Sequence, residues 1–387
     1  MAVSHSIYLH IPFCQHRCGY CDFNTYAGQA DLIPAYMEAL HREISAIAMA
    51  AGERLAIHTI YFGGGTPSLV PIHAYKRLLN CLERNFQLKE PEISLEANPG
   101  TVNKGYLSDL LSLGFNRLSL GVQTFQSNEL RLLERTHTGL DVFHAFGWAR
   151  AAGFMNINLD LIFGLPEQTV ESWCATLQTA LILKPDHFSL YALGIEEGTP
   201  LGRWLKRGLI ANPDEDLSAD MYHASSVHLE EAGFHQYEIS NWAKPGKDCQ
   251  HNLQYWRCQP YLGFGAGAHG FSTGIRYSNV LRPKVFIQRM NDFEEQPFPL
   301  SPAAVTREKL TALERMKERM MLGLRLTIEG VCRQDFFDEF GVTPEDRFPL
   351  EIQKLIQSGL LEWDCDNLRL TERGRILGNQ AFIEFVG

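Results

Sequence analysis

The chain has 387 residues, 45% hydrophobic and 21% charged, the proportions of a globular protein with room for one large domain and a smaller one. A formal net charge of −10 argues against general affinity for nucleic acid or anionic membranes, so an anionic ligand would have to be met by local Arg, Lys or backbone donors. No apolar run approaches the ~20 residues of a membrane span, and nine scattered cysteines with no signal-peptide pattern upstream predict reduced thiols and a cytoplasmic location.

The first strand candidate is Ser6–Phe13. Directly after it, IPFCQHRCGYCDF places Cys14, Cys18 and Cys21 at C-x3-C-x2-C spacing on a short loop. Three thiolates are one ligand short of a closed zinc site, unless His10 or His16 completes it. They suit a four-iron cluster in which one iron stays open to a small chelating molecule, and the ligand count favours that reading.

Strand candidates then recur at Thr59–Gly63, Glu92–Asn98, Arg117–Gln123, Asn156–Gly164 and His187–Leu193. Between them lie helical periods at Leu32–Ala50, Ile72–Asn85, Val142–Ala152 and Glu171–Leu183. Six βα units in a row predict parallel strands with right-handed crossovers, in a doubly wound sheet or a barrel. Polar runs stand at successive strand ends: the cysteines, GGGTPS, EANPG, GVQTF and LDLIFGLP. A barrel gathers such ends at one mouth, so the expected fold is α/β, a partial (β/α)6 barrel with an accessory carboxyl-terminal domain.

After Thr199 the alternation stops. Asp214–Ala232 reads as an amphipathic helix, and Glu238–Gly270 is rich in aromatics and glycine without a regular period. In the tail, helices are expected over Arg307–Leu324 and Glu351–Ser358 and from Glu372, with LLEWDCDNLRLT as a two-stranded wing turning at Asp364–Asn367. This layout resembles a winged-helix unit, but 12 basic against 15 acidic residues in 301–387 favour a packing role over DNA binding. The expected divisions are 1–230, 231–300 and 301–387.

The cysteine loop followed by Gly63-Gly64-Gly65-Thr66-Pro67 resembles the radical S-adenosylmethionine (radical SAM) superfamily. With LEANPGT, RLSLGVQTF, NLDLIFGLP and HNLQYW added, the chain resembles the oxygen-independent coproporphyrinogen oxidase-like proteins, and among them the HemW-type haem chaperones. The likeness runs from Tyr8 to about Gly270 and weakens in the tail. It implies a 4Fe-4S cluster on Cys14, Cys18 and Cys21, with S-adenosylmethionine chelating the open iron. It also implies S-adenosylmethionine contacts from Tyr8, Gly64, Gly65, Thr66, Glu96, Gln123, Arg135 and Asp160, with Tyr20 and Ala192 against the adenosine part. Glycine at 63–65 lets the backbone approach a ligand closely, and a tight strand-to-helix turn needs it equally. Glu96 and Asp160 lie in apolar strands, where a ligand hydroxyl or amine, or an ion pair with Arg117 or Arg135, would satisfy them.

Two departures from the oxidising relatives stand out. Phe23 occupies the position of their fourth cysteine, and only 13 residues precede the cluster loop, where those relatives carry a long segment. Both point to a haem carrier rather than to radical decarboxylation of coproporphyrinogen III or SAM-radical chemistry on another substrate. The haem-carrying branch is expected to show H-N-x-x-Y-W, which His251, Asn252, Tyr255 and Trp256 match. His251 would ligate haem iron with Tyr255 and Trp256 on the porphyrin face, or the run pins its loop structurally. Cys249, Cys258 and His269 are rival ligands, and Lys244, Lys247 and Arg257 flank the run for the propionates. Expected partners are haem, a haem-accepting client protein and, if the cluster is redox active, an electron donor.

Overall fold

The computed structural model describes residues 4–292 and 294–386. It divides into two compact units, Met1–Ser225 with Pro260–Glu308, and Ser226–Gln259 with Lys309–Gly387.

In the first unit the six expected strands are β1 (His5–Ile11), β2 (Ala56–Gly64), β3 (Gln87–Ala97), β4 (Arg117–Gln123), β5 (Ile157–Phe163) and β6 (His187–Ala192). They pair in that order, all parallel. Helices at Ile33–Ala51, Ile72–Asn85, Lys104–Ser112, Gly139–Ala152 and Val170–Ile182 lie in the crossovers. Parallel strands are covered on both faces, and β1, β4 and β5 are accordingly buried at nearly every position. β1, β4 and β5 each break this pattern at one half-buried residue, Tyr8, Gly121 and Asp160 respectively.

The barrel does not close. The other neighbour of β1 is β7 (Tyr261–Phe264), parallel to it, followed outward by β8 (His269–Ser272), β9 (Ile275–Asn279) and β10 (Ala304–Lys309). The segment 231–300, expected as one irregular extension, is therefore divided between the two units, and its second half supplies sheet strands. Glycines at 263, 265, 267 and 270 interrupt the apolar alternation and hide these strands from a periodicity reading.

The helix Ile33–Ala51 is tied to this added edge by polar groups. Glu43 is fully buried and accepts the Gly265 N–H at 2.7 Å, the Asn279 Nδ2 at 2.7 Å and the Ser301 hydroxyl. Burial still dominates and pushes its carboxyl up to about 7. The Tyr36 hydroxyl donates to the His10 carbonyl at 2.8 Å and accepts the Ala266 N–H at 2.7 Å.

Two helix starts differ from expectation, both because of capping boxes. The helix expected over Arg307–Leu324 runs only over Ala312–Gly323. Thr311 caps it, accepting from the Glu314 N–H at 3.2 Å while Glu314 accepts the Thr311 N–H at 2.7 Å. The residues before it form β10 instead. The helix expected from Val142 starts at Gly139, behind a box made by Thr138 and Asp141.

In the second unit the tail contains an antiparallel sheet in which Asn367–Leu370 pairs with both Leu361–Asp364 and Val331–Cys332. The expected two-stranded wing is present and gains a short third strand. Helices Ala312–Gly323, Arg333–Phe340, Pro349–Gln357 and Gly378–Val386 pack with it around Met320, Leu324, Phe336, Phe348, Leu368 and Phe385. Among the described residues no helix is long and apolar enough to cross a membrane.

Candidate functional site

The cysteine loop leaves the carboxyl end of β1 and is held at several points. Phe13–Cys14 pairs with Tyr26–Ala27, the Gly19 N–H donates to the Leu133 carbonyl at 3.2 Å, and the Gly19 carbonyl accepts the Leu201 N–H at 2.9 Å. Tyr20 packs on the apolar group of Leu133, Ile162, Leu165, Leu193 and Leu201. A hydrogen-bonded turn, Cys21 N–H to Cys18 carbonyl at 3.2 Å, brings the second and third cysteines round.

Gly63–Gly65 runs beside this loop. The Gly65 N–H donates to the Ile11 carbonyl at 2.9 Å and the Thr66 N–H to the Phe13 carbonyl at 2.8 Å. Gly64 has φ +114°, and a Cβ there would lie 2.4 Å from the His10 ring; one at Gly65 would lie 2.7 Å from the Phe13 carbonyl oxygen. The backbone is thus as close to the loop as atoms allow. His10 has both ring nitrogens engaged, Nδ1 with the Tyr8 hydroxyl at 3.0 Å and Nε2 with the Asn24 carbonyl at 2.9 Å. Burial holds its pKa below the ordinary histidine range.

Glu96 and Asp160 project from β3 and β5. Glu96 accepts the Tyr61 hydroxyl at 2.9 Å and the Gly64 N–H at 3.0 Å. Burial first, and the neighbouring Asp160 second, push its carboxyl up to about 7. Asp160 accepts from Ser119 Oγ at 2.8 Å and Asn158 Nδ2 at 2.8 Å. Burial raises its pKa too, against the donors and Arg135. The ion-pair alternative raised from the sequence turns out differently for Arg117, which pairs with Glu92 at 2.9 Å.

Asn158 in turn holds Ser189 Oγ at 3.2 Å and His187 Nδ1 at 2.7 Å, so β4, β5 and β6 share a polar layer. Sequence reasoning missed this layer. Its signal is the i, i+2 polar spacing in RLSL, NLDL and HFSL.

Gln123 closes β4 with φ +67°, at a break in the β4–β5 register. Arg135 donates from Nη1 to Cys18 Sγ at 3.3 Å and from Nη2 to the Gly121 carbonyl at 2.7 Å and Asn98 Oδ1 at 2.5 Å. Its Nε is buried without a partner. Ala192 lies exposed at the end of β6.

These residues fit a cluster and a chelating ligand. All three thiols are unbridged and partly accessible. Each sulfur has a hydrogen-bond partner: Thr66 Oγ1 at 3.5 Å from Cys14, Arg135 at Cys18, and Thr25 Oγ1 at 3.8 Å from Cys21. Among the described residues no three His, Cys, Asp or Glu side chains are gathered tightly enough for a single metal ion. His10, which could have completed a zinc site with these cysteines, is committed to the Tyr8 hydroxyl and the Asn24 carbonyl. Two recessed carboxylates, an unpartnered guanidinium N–H and a glycine cradle beside the loop suit a ligand carrying an amine, a carboxylate and ribose hydroxyls.

The HNLQYW run lies in the second unit, as the helix Gln250–Trp256. His251 is 1% exposed, with Nε2 2.9 Å from the Tyr255 hydroxyl. The Arg325 guanidinium lies 4.3 Å over the Trp256 ring, whose Nε1 is buried without a partner. Arg257 pairs with Glu329 at 2.9 Å, and Lys244 stands 5.4 Å over Phe234. Cys249 is buried, while His269 opens β8 in the first unit.

The fold and this site define a class. Residues 8–180 match the model of the radical SAM superfamily, and residues 310–377 match that of the HemN C-terminal domain. Coproporphyrinogen III oxidase (HemN) from Escherichia coli, described as a radical SAM enzyme, is similar in structure, with a TM-score of 0.84 at 25% identity over 99% of this chain and 90% of that one. The heme chaperone HemW of Bacillus subtilis (strain 168) is 38% identical over 99% of both chains. That of Synechocystis sp. is 40% identical over 83% of this chain and 77% of its own. Within the radical SAM superfamily, this chain belongs to the HemW family.

Proposed function

We propose that this protein is a cytoplasmic haem chaperone that binds haem and passes it to a client protein. The chain-long similarity to curated heme chaperones, 38% over 99% of both chains, carries this reading. Phe23, where the oxidising relatives place a cysteine, supports it.

Cys14, Cys18 and Cys21 are the proposed ligands of a 4Fe-4S cluster. S-adenosylmethionine binds beside them, within reach of Tyr8, Tyr20, Gly64, Gly65, Thr66, Glu96, Gln123, Arg135, Asp160 and Ala192. When bound, the cluster supplies an open iron for the amine and carboxylate of S-adenosylmethionine and a capacity for one-electron transfer. The chain's own residues bind and orient. Thr66 and Arg135 donate to two cluster sulfurs, Glu96 and Asp160 accept from amine or hydroxyl groups, and the glycines keep side chains out of the ligand's path. Haem is assigned to the segment Cys249–Trp256, with His251 as iron ligand once its bond to Tyr255 opens, and Tyr255 and Trp256 as apolar surfaces.

The structural agreement with the Escherichia coli oxidase, at a TM-score of 0.84, favours decarboxylation of coproporphyrinogen III as a second reading. One set of assays on the anaerobically reconstituted protein separates the two. A chaperone retains haem with a Soret band, transfers it to an apo-haemoprotein and releases no carbon dioxide from coproporphyrinogen III. Carbon dioxide release with no retained haem would replace the first reading by the second.

A further inference from the structure

We propose that Asn98, in the EANPG turn after β3, is a positioning residue that sets the hydrogen bonds on two of the three cluster cysteines. Its side chain is the centre of a continuous bridge between them. Asn98 Nδ2 donates to Thr66 Oγ1 at 3.2 Å, and the Thr66 hydroxyl donates to Cys14 Sγ at 3.5 Å. On the other side, Asn98 Oδ1 accepts from Arg135 Nη2 at 2.5 Å, and Arg135 Nη1 donates to Cys18 Sγ at 3.3 Å.

The orientation of the Asn98 amide follows from chemistry. A guanidinium has donors only, so the atom facing Arg135 must be the oxygen. The NH2 is then left for Thr66. Because that NH2 only donates, the Thr66 hydroxyl accepts it on one lone pair and keeps its single proton for the sulfur. The turn holds this arrangement from behind, because the Asn98 carbonyl accepts both the Thr101 N–H at 2.9 Å and the Thr101 hydroxyl at 2.8 Å. One amide therefore aims a donor at Cys14 and a cation at Cys18, from two different strand ends.

Donors to a thiolate stabilise its charge and favour the more negative, reduced state of an iron–sulfur centre. Asn98 touches neither cysteine and acts through Thr66 and Arg135. Asn98→Leu has similar volume and removes both of its side-chain bonds.

The inference rests on the cluster assignment to Cys14, Cys18 and Cys21, and one experiment tells the two apart. Wild type, Asn98→Leu, Thr66→Val and Thr66→Ser are reconstituted anaerobically, and the cluster's midpoint potential is followed by electron paramagnetic resonance. Iron loss to a chelator is timed in parallel. In Asn98→Leu the reduction equilibrium is expected to fall about tenfold, a shift of about 59 mV to more negative potential for a one-electron couple, with faster iron loss. Thr66→Val should shift in the same direction, and Thr66→Ser, which keeps the hydroxyl, should match wild type.

A wild-type potential and chelator resistance in Asn98→Leu with full iron content would overturn the role of Asn98 and leave the cluster assignment standing. If Asn98→Leu does not fold, as circular dichroism would show, the Thr66 pair decides. Equal potentials in Thr66→Val and Thr66→Ser would then overturn the proposal. A wild-type protein that takes up no four-iron cluster would overturn both this inference and the assignment beneath it.

Discussion

Glu96 and Gly64 show how much of the site is decided by single side chains. Burial and the proximity of Asp160 push the Glu96 carboxyl up to about 7, so near neutral pH it is partly protonated before any ligand arrives. A ligand amine or hydroxyl that donates to it favours the ionised form, so binding below pH 7 must release a proton. S-adenosylmethionine affinity should weaken as pH falls from 7, approaching tenfold per unit, and calorimetry in two buffers should show the proton leaving. Glu96→Gln should bind more weakly at pH 8 and lose this dependence. At Gly64, a methyl group would meet the His10 ring at 2.4 Å on a backbone with φ +114°. Gly64→Ala should cost more than ~2 kcal/mol of stability, read from the urea midpoint, because both the clash and the left-handed backbone oppose it. Cys18→Ser should abolish the visible thiolate-to-iron absorption of the reconstituted protein, whereas Cys365→Ser, in the exposed turn of the wing, should leave it unchanged.

Elements acquire their places from a few buried polar contacts. The helix Ile33–Ala51 is amphipathic and would pack on a sheet in any case. Glu43 pins it to the β7–β10 edge through Gly265, Asn279 and Ser301. Glu43→Ala would leave the Gly265 N–H and the Ser301 hydroxyl buried without that acceptor, while Asn279 Nδ2 keeps the Gly265 carbonyl at 2.9 Å, and should destabilise the protein by about 3 kcal/mol in denaturant unfolding. The pH dependence has a definite sign. Burial raises the folded-state pKa to about 7, so the folded state binds the extra proton. The associated stability is present at acid pH and is lost as pH rises through about 7. Urea midpoints at pH 6 and 8 should differ more for wild type than for Glu43→Gln.

At the scale of the whole molecule, the two units carry different halves of the proposed function. The first holds the cysteine loop and the carboxylates, and the second holds HNLQYW. Phe23 is 65% exposed, so a cysteine there is sterically admissible. Phe23→Cys should not confer carbon dioxide release from coproporphyrinogen III, because a fourth thiol restores one feature of the oxidising relatives and not their substrate contacts. His251→Ala should shift or abolish the Soret band and slow haem transfer. An unchanged spectrum and rate would return His251 to a structural role, for which its burial and its bond to Tyr255 already provide a basis.

The sequence by itself determined the six parallel strands, the cysteine loop and the glycine run, because each is written in local terms. Strands appear as apolar runs of fixed length, ligands as short spacings, and tight turns as glycine. Glu96 and Asp160 were legible as acidic residues in apolar strands. The partners of these residues were not legible. That Asn98 stands between Thr66 and Arg135, that His10 fills the space beside Gly64, and that Ser119, Asn158 and Ser189 form one layer all depend on strand register, which brings together residues about 30 to 55 positions apart. The β7–β10 edge stayed hidden for a related reason. Its strands are short and broken by glycine, and only pairing with β1 shows them to be strands. The tertiary structure alone also decided that His251 is buried, since a six-residue motif carries no record of what covers it, whereas its bond to Tyr255, four residues on in the same helix, is local.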